Sequence, residues 1–308
     1  MKRLALAILT FLASLQAFAA TSYQGLWWNS PAGSQSGWGL NIIHQGDTLF
    51  ATWFTYDSDG KPLWLVMPKL DLVPNMAGTY DYYMNYGMMM GEGSMDMGTD
   101  MGTAGLTYTG TVYRTSGPAF GQSFDPSKVS ATPLGIGTLV FFSATDATFS
   151  ASLNNYTQNL SYAITKQVFS SVLPTCAVGG TPGGSTNYSD LWWNPSESGW
   201  GVNVTQQGDT VFATWFTYDS AGRDTWFTMS NGVRLAGTQS WSGDVYSTSG
   251  PSYDSQWSNA KVKTATAGTA SFSFSDASHG TFTATVNGQT ITKSVTRQVF
   301  ATPTTTCQ

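Results

Sequence analysis

The chain carries one long pattern twice. Residues 37–64 read GWGLNIIHQGDTLFATWFTYDSDGKPLW, and residues 199–226 read GWGVNVTQQGDTVFATWFTYDSAGRDTW. LWWN stands at 26–29 and again at 191–194. VYRTSGP at 112–118 returns as VYSTSGP at 245–251, and KQVF at 166–169 as RQVF at 297–300. A pattern that keeps its order over about 113 residues is one folding unit used twice. It divides the chain into a first domain over 21–172, a Gly/Ser/Thr/Pro-rich linker over 173–187 and a second domain over 188–308.

The second copy gives the fold in its plainest form. Period-two apolar runs alternate with turn residues at QGD, DSAG, SNG, DASHG and NGQ, with almost no helical period. They predict eight strands, at 189–194, 199–206, 210–218, 224–230, 240–247, 268–275, 280–286 and 290–300. Consecutive short hairpins of this kind predict an all-β chain. Its architecture would be two tandem antiparallel up-and-down β-barrels, or tight sandwiches, of roughly eight strands each. The stretch FATWFTYD, identical in both copies, alternates Ala213, Trp215 and Thr217 with Phe212, Thr214, Phe216 and Tyr218. Neither set is plainly polar. One face should fill the barrel, and the other should be covered by a neighbouring element or by the other repeat.

The start of the chain bears on location. MKR, the apolar run LALAILTFLA and the small-x-small pattern Ala17-Phe18-Ala19 have the form of a secretory leader over 1–20. That implies a secreted or periplasmic protein. The apolar run is short for a bilayer span, and no later stretch approaches the necessary length, so no transmembrane segment is expected. Without Lys2 and Arg3, 11 basic residues face 18 acidic ones, a net charge of about −7, and no basic cluster offers itself to nucleic acid. The two cysteines, Cys176 and Cys307, each follow a matching phenylalanine, Phe169 and Phe300, by seven residues. Equivalent placement in an oxidising compartment points to a disulfide between them.

The combination WWNPxESGWGxN, QGD and FATWFTYDxxG resembles a repeat of exported proteobacterial proteins that occurs alone, in tandem or appended to secreted enzymes. The resemblance covers nearly the whole chain after the leader, and it implies export and modularity more than any activity. Size and hairpin order are also similar to the avidin and lipocalin class of small barrels, a likeness of architecture alone.

Two stretches could carry chemistry. The first is the duplicated tryptophan motif, with Trp27, Trp28, Asn29, Trp38 and Asn41 in one copy and Trp192, Trp193, Asn194, Trp200 and Asn203 in the other. Large aromatic rings with flanking amides suit a pocket or platform for a small molecule or glycan at one mouth of the barrel, but packing residues of a duplicated core are the more economical reading. Because neighbouring strand residues point to opposite faces, one tryptophan of each pair should be buried and its neighbour partly exposed. The second stretch is an insertion of about 29 residues in the first copy, around 76–105, which holds eight of the 11 methionines. Met84, Met88, Met89, Met90, Met95, Met97 and Met101 are spaced as soft thioether ligands for copper would be, and a low-complexity hairpin extension is the alternative.

Catalytic patterns are sparse. His44 is replaced by Gln206 in the other copy, His279 lies in a turn, and Glu197 stands where the first copy has Gln35. No nucleophile elbow and no metal-protease histidine pair occurs. The expectation is an exported, non-catalytic binding or scaffolding protein recognising a small molecule, glycan or envelope partner through aromatic residues. Copper buffering by the methionine run and a purely structural envelope or adhesion role are the alternatives.

Overall fold

A computed structural model describes residues 20–74, 105–183 and 185–308. The leader as far as residue 19, and the methionine run from Met76 to Met101, lie outside the described residues.

Each copy closes into an eight-stranded antiparallel barrel. After a short β1 (Ala20–Thr21), the first barrel comprises β2 (Gly25–Asn29), β3 (Gly39–Gln45), β4 (Thr48–Tyr56), β5 (Pro62–Leu72), β6 (Leu106–Ser116), β7 (Ser130–Phe141), β8 (Asp146–Leu153) and β9 (Gln158–Lys166). Following β10 (Cys176–Val178), the second comprises β11 (Asp190–Trp193), β12 (Gly201–Gln207), β13 (Thr210–Tyr218), β14 (Asp224–Arg234), β15 (Ser240–Ser249), β16 (Lys263–Phe274), β17 (His279–Val286) and β18 (Gln289–Arg297). Every strand pairs with its neighbour in the chain, and the last returns to the first, β9 to β2 and β18 to β11. The barrel, not the sandwich, is the architecture.

The strands expected in the second copy are all present. The largest difference is β16, which starts at Lys263 instead of 268. Its first four residues are exposed, so no apolar alternation announces them. Where this ribbon enters the barrel it bulges, between Val245 and Tyr246 on β15 opposite Gly268. A Cβ on Gly268, at φ +155°, would lie 1.8 Å from the Thr285 carbonyl oxygen, so only glycine fits. Gly135 repeats the arrangement in the first barrel.

The two faces of FATWFTY have different destinations, as the alternation requires. Ala51 and Trp53 in β4, and Ala213 and Trp215 in β13, belong to the two barrel cores. Those cores are filled. The void inside the second barrel is about 10 Å³, no more than a single water needs. Phe50, Phe54, Tyr56, Phe216 and Tyr218 on the opposite face form a third core with Trp64 and Trp226, pressed between the barrels.

This third core is organised as an internal pair. Trp64 donates to the Thr217 carbonyl at 2.9 Å, and Trp226 to the Thr55 carbonyl at 3.1 Å. Asn41 reaches Thr214 at 3.4 Å, and Asn203 reaches Thr52 at 3.3 Å. Gln45 accepts from the backbone of Phe300 and Ala301, while Gln207 accepts from Phe169 and Ser170. Each contact made by one repeat is returned by the other.

The loops after β6 and β15 go further, because each crosses to the other barrel. Phe120, in the loop after β6, packs edge-on to Trp215 at 5.1 Å, and its N–H donates to the Tyr218 carbonyl. Tyr253, in the loop after β15, packs edge-on to Trp53 at 5.5 Å, and its N–H donates to the Tyr56 carbonyl. Phe124 and Trp257 follow the same exchange. Each core is thus completed by side chains from the other repeat.

A small three-stranded sheet, β1–β10–β19 with β19 at Thr305–Cys307, joins the ends. Cys176 and Cys307 face each other across it and form the disulfide. In the chain-entropy view so long a loop contributes about 4 to 5 kcal/mol. β10 lies within the stretch whose composition reads as linker.

Candidate functional site

The paired tryptophans divide as strand alternation demands. Trp27 and Trp192 are fully buried and donate to the carbonyls of Tyr23 and Tyr188. Their neighbours Trp28 and Trp193 are half-buried on the outer face. Trp38 and Trp200 are buried, and their indole hydrogens go to Gln35 and Glu197. Asn29 accepts from the Ser34 hydroxyl and Asn194 from the backbone and hydroxyl of Ser196, so both order local turns. Asn41 and Asn203 belong to the inter-barrel contact already described.

A cleft of about 320 Å³ opens between the barrels and gathers Trp28 and Trp38 from this set. Leu26, Phe54 and Gln167 accompany them from the first repeat, and Trp226, Phe212, Tyr246 and several hydroxyl residues close it from the second. Trp193, Asn194, Trp200 and Asn203 are not part of it. Its position between the barrels differs from the barrel mouth where a platform would be expected from the sequence. The Trp28 indole N–H is shielded from solvent and has no hydrogen-bond partner among the described residues. A buried donor without an acceptor is costly, so a group supplied from outside would be favoured there.

Comparison of the repeats separates what is shared in this cleft from what is particular. Leu26, Trp28, Trp38, Phe54, Phe212 and Trp226 have identical counterparts on the other side of the molecule. Thr228, Ser230 and Thr264 do not: Val66, Pro68 and Ala131 stand in those places. The aromatic floor is therefore common to both sides, and the hydroxyl wall belongs to one.

The titratable groups are mostly committed to structure. His44 accepts the Tyr23 N–H on Nδ1 at 3.3 Å and lies 3.3 Å by Nε2 from the Tyr108 hydroxyl. With Nδ1 accepting, the neutral ring carries its proton on Nε2. Burial pulls its pKa down to about 4. Gln206 accepts the equivalent Tyr188 N–H in the second barrel, which accounts for the exchange of His for Gln. Glu197 is held by Trp200 and by Lys293 at 2.7 Å, and His279 is exposed beside Asp276.

One charged cluster spans the repeats. The Arg114 guanidinium lies 2.6 Å from Asp57 of its own repeat and 3.2 Å from buried Asp224 of the other. Burial outweighs this attraction and lifts the Asp224 pKa to about 6, while the second oxygen of that carboxyl has no hydrogen-bond partner among the described residues. Among the described residues no three His, Cys, Asp or Glu side chains converge as a metal site would require. The methionine candidates lie outside the described residues.

The chain matches no protein-family model, no curated protein and no solved structure. Geometry alone assigns roles. Sequence reasoning had passed over Trp226, the hydroxyl wall and the crossing loops. A signal for the loops was available: SGPAFGQSF and SGPSYDSQW both place aromatic residues two and six positions after the proline.

Proposed function

We propose that the protein is an exported, non-catalytic binding module that holds a small hydroxylated ligand, of the sugar class, in the cleft between its barrels. One observation carries this reading. Duplicated aromatic residues meet a hydroxyl wall present on one side only, beside an indole donor without a partner among the described residues. Trp28, Trp38 and Trp226 supply ring faces for stacking, while Thr228, Ser230 and Thr264 supply hydrogen bonds. The volume is at the small end of ligand sites and suits a compact ligand. Among the described residues Tyr246 is the only titratable side chain lining the cleft, and this favours recognition over acid–base chemistry. Export rests on the leader-like start and agrees with the disulfide.

Titration with a panel of mono- and disaccharides, followed by tryptophan fluorescence and by indole N–H resonances, tests the proposal. At least one sugar should shift the Trp28 indole signal saturably. Thr228→Val with Thr264→Ala, which install the residues of the opposite side, should abolish that shift and leave unfolding unchanged. A panel without any saturable shift, or a double variant that binds as the parent does, overturns it.

A further inference from the structure

A second cavity, of about 440 Å³, is bounded by the first barrel, by Ser189, Thr205 and Gln207 of the second repeat, and by the strands that carry the disulfide. It is lined by Lys166 and Gly25 together with Leu26, Val168, Leu173 and Pro174. Val168 and Leu173 are large apolar residues left more than half exposed, at 59% and 52%.

The equivalent point in the second barrel shows what such a cation ordinarily meets. Arg297 corresponds to Lys166, and it pairs with the buried carboxylate of Asp190 at 2.9 Å while lying over the Trp192 ring. It also donates to the carbonyls of Asn187 and Ser189. Lys166 keeps two of these features: it lies 5.5 Å over Trp27 and donates to the Ser22 carbonyl at 3.3 Å. Its carboxylate partner is gone, because the residue corresponding to Asp190 is Gly25. Among the described residues Lys166 forms no ion pair. Burial accordingly draws its amine down to about 8, with no carboxylate opposing the shift.

We propose that this cavity binds a small organic carboxylate, whose anionic head faces Lys166 as Asp190 faces Arg297 and whose apolar tail rests on Leu26, Val168, Leu173 and Pro174. The ligand supplies the charge that the second repeat provides from its own chain. An amine held beside an indole ring and short of acceptors gains a charge-assisted hydrogen bond, and apolar rim area is covered in the same event. This cavity adjoins the cleft between the barrels and shares Leu26 and Gln167 with it, but Lys166 lies outside the lining of the cleft, and carboxylate binding at Lys166 does not require a sugar there.

Calorimetric titration of the whole protein at pH 7 with octanoate, and with octanol as the uncharged control, tests the proposal. Octanoate should bind once per chain, at least tenfold more tightly than octanol, and its affinity should fall as the pH is raised through about 8. Lys166→Met should weaken octanoate at least tenfold without weakening octanol, Lys166→Arg should retain it, and Thr228→Val in the cleft should leave it unchanged. Absence of octanoate binding, equal affinity for octanoate and octanol, or full affinity in Lys166→Met overturns the assignment. The octanoate–octanol comparison on the parent protein stands even if a variant fails to fold.

Discussion

Trp226 of the second repeat donates its indole hydrogen to the backbone carbonyl of Thr55 in the first, 3.1 Å away, and it does so inside an apolar contact between two barrels. Trp64 and Thr217 make the same bond in the opposite sense. The long identity between the copies follows from this reciprocity. Each repeat must present both the donor and the acceptor surface, so neither can drift without the other.

Trp226→Phe keeps most of the apolar contact and removes one buried hydrogen bond to the Thr55 carbonyl, which keeps its place in the β4–β5 ladder opposite Leu63. The expected cost is about 0.5 to 1.5 kcal/mol in urea unfolding, with a similar cost for Trp64→Phe. Both variants should retain a single cooperative transition. Two separated transitions would mean that the barrels are independently stable and merely touch.

The adjacent tryptophans should respond unlike one another. Trp27→Ala and Trp192→Ala empty filled cores and are expected to cost about 3 to 5 kcal/mol. Trp28→Ala should cost far less and should remove sugar binding in the cleft. Equal, severe destabilisation at Trp27 and Trp28 would reduce the LWWN motif to packing.

Much of this was legible from the residues. Alternation in FATWFTYD showed two apolar faces, and one barrel can fill only one of them, so a covering partner had to exist. The matched positions of Cys176 and Cys307 indicated their bond. What could not be read was which surface covers which, because the contacts between repeats join residues far apart in the chain, 153 and 171 positions for the two indole bonds, and leave no period in it. Lys166 was equally silent. Its meaning lies in the absence of a carboxylate at Gly25, visible only once Arg297 and Asp190 are seen together.

Acid stability should reveal two opposed buried groups. The folded state holds the Asp224 proton more tightly than the unfolded chain does, with a pKa raised from 3.8 to about 6. The stability this contributes is present at low pH and lost as the pH rises from about 4 to 6. His44 acts in the other sense: its pKa falls from 6.5 to about 4, so stability is lost as the pH drops through that interval. At about 1.4 kcal/mol per pH unit of separation, each effect is about 3 kcal/mol, and they largely cancel. Relative to the parent, His44→Gln should make unfolding free energy fall with rising pH between 4 and 6, and Asp224→Asn should make it rise. Parallel profiles in all three proteins would contradict both assignments.

The methionine run has its own test. Changing Met88, Met89, Met90, Met95, Met97 and Met101 together to leucine keeps apolar bulk and removes the sulfur ligands. If the run is a copper site, Cu(I) competition should show binding by the parent that the variant lacks, with thermal unfolding unaltered. Equal Cu(I) affinity in the two proteins would leave the run as a low-complexity extension of its hairpin.

Each barrel is finished by the other repeat, and native-state hydrogen exchange of Phe120→Ala tests this most directly. Phe120 belongs to the first repeat by sequence and to the second barrel by packing, against Trp215 and Phe227. Its removal should lower protection by about 2 kcal/mol for amides of Thr210–Tyr218 and Asp224–Arg234 in the second barrel. Amides of Thr48–Tyr56 in the first barrel should change less. Tyr253→Ala should give the mirror result. Loss of protection confined to the repeat that carries the substitution would contradict the exchange.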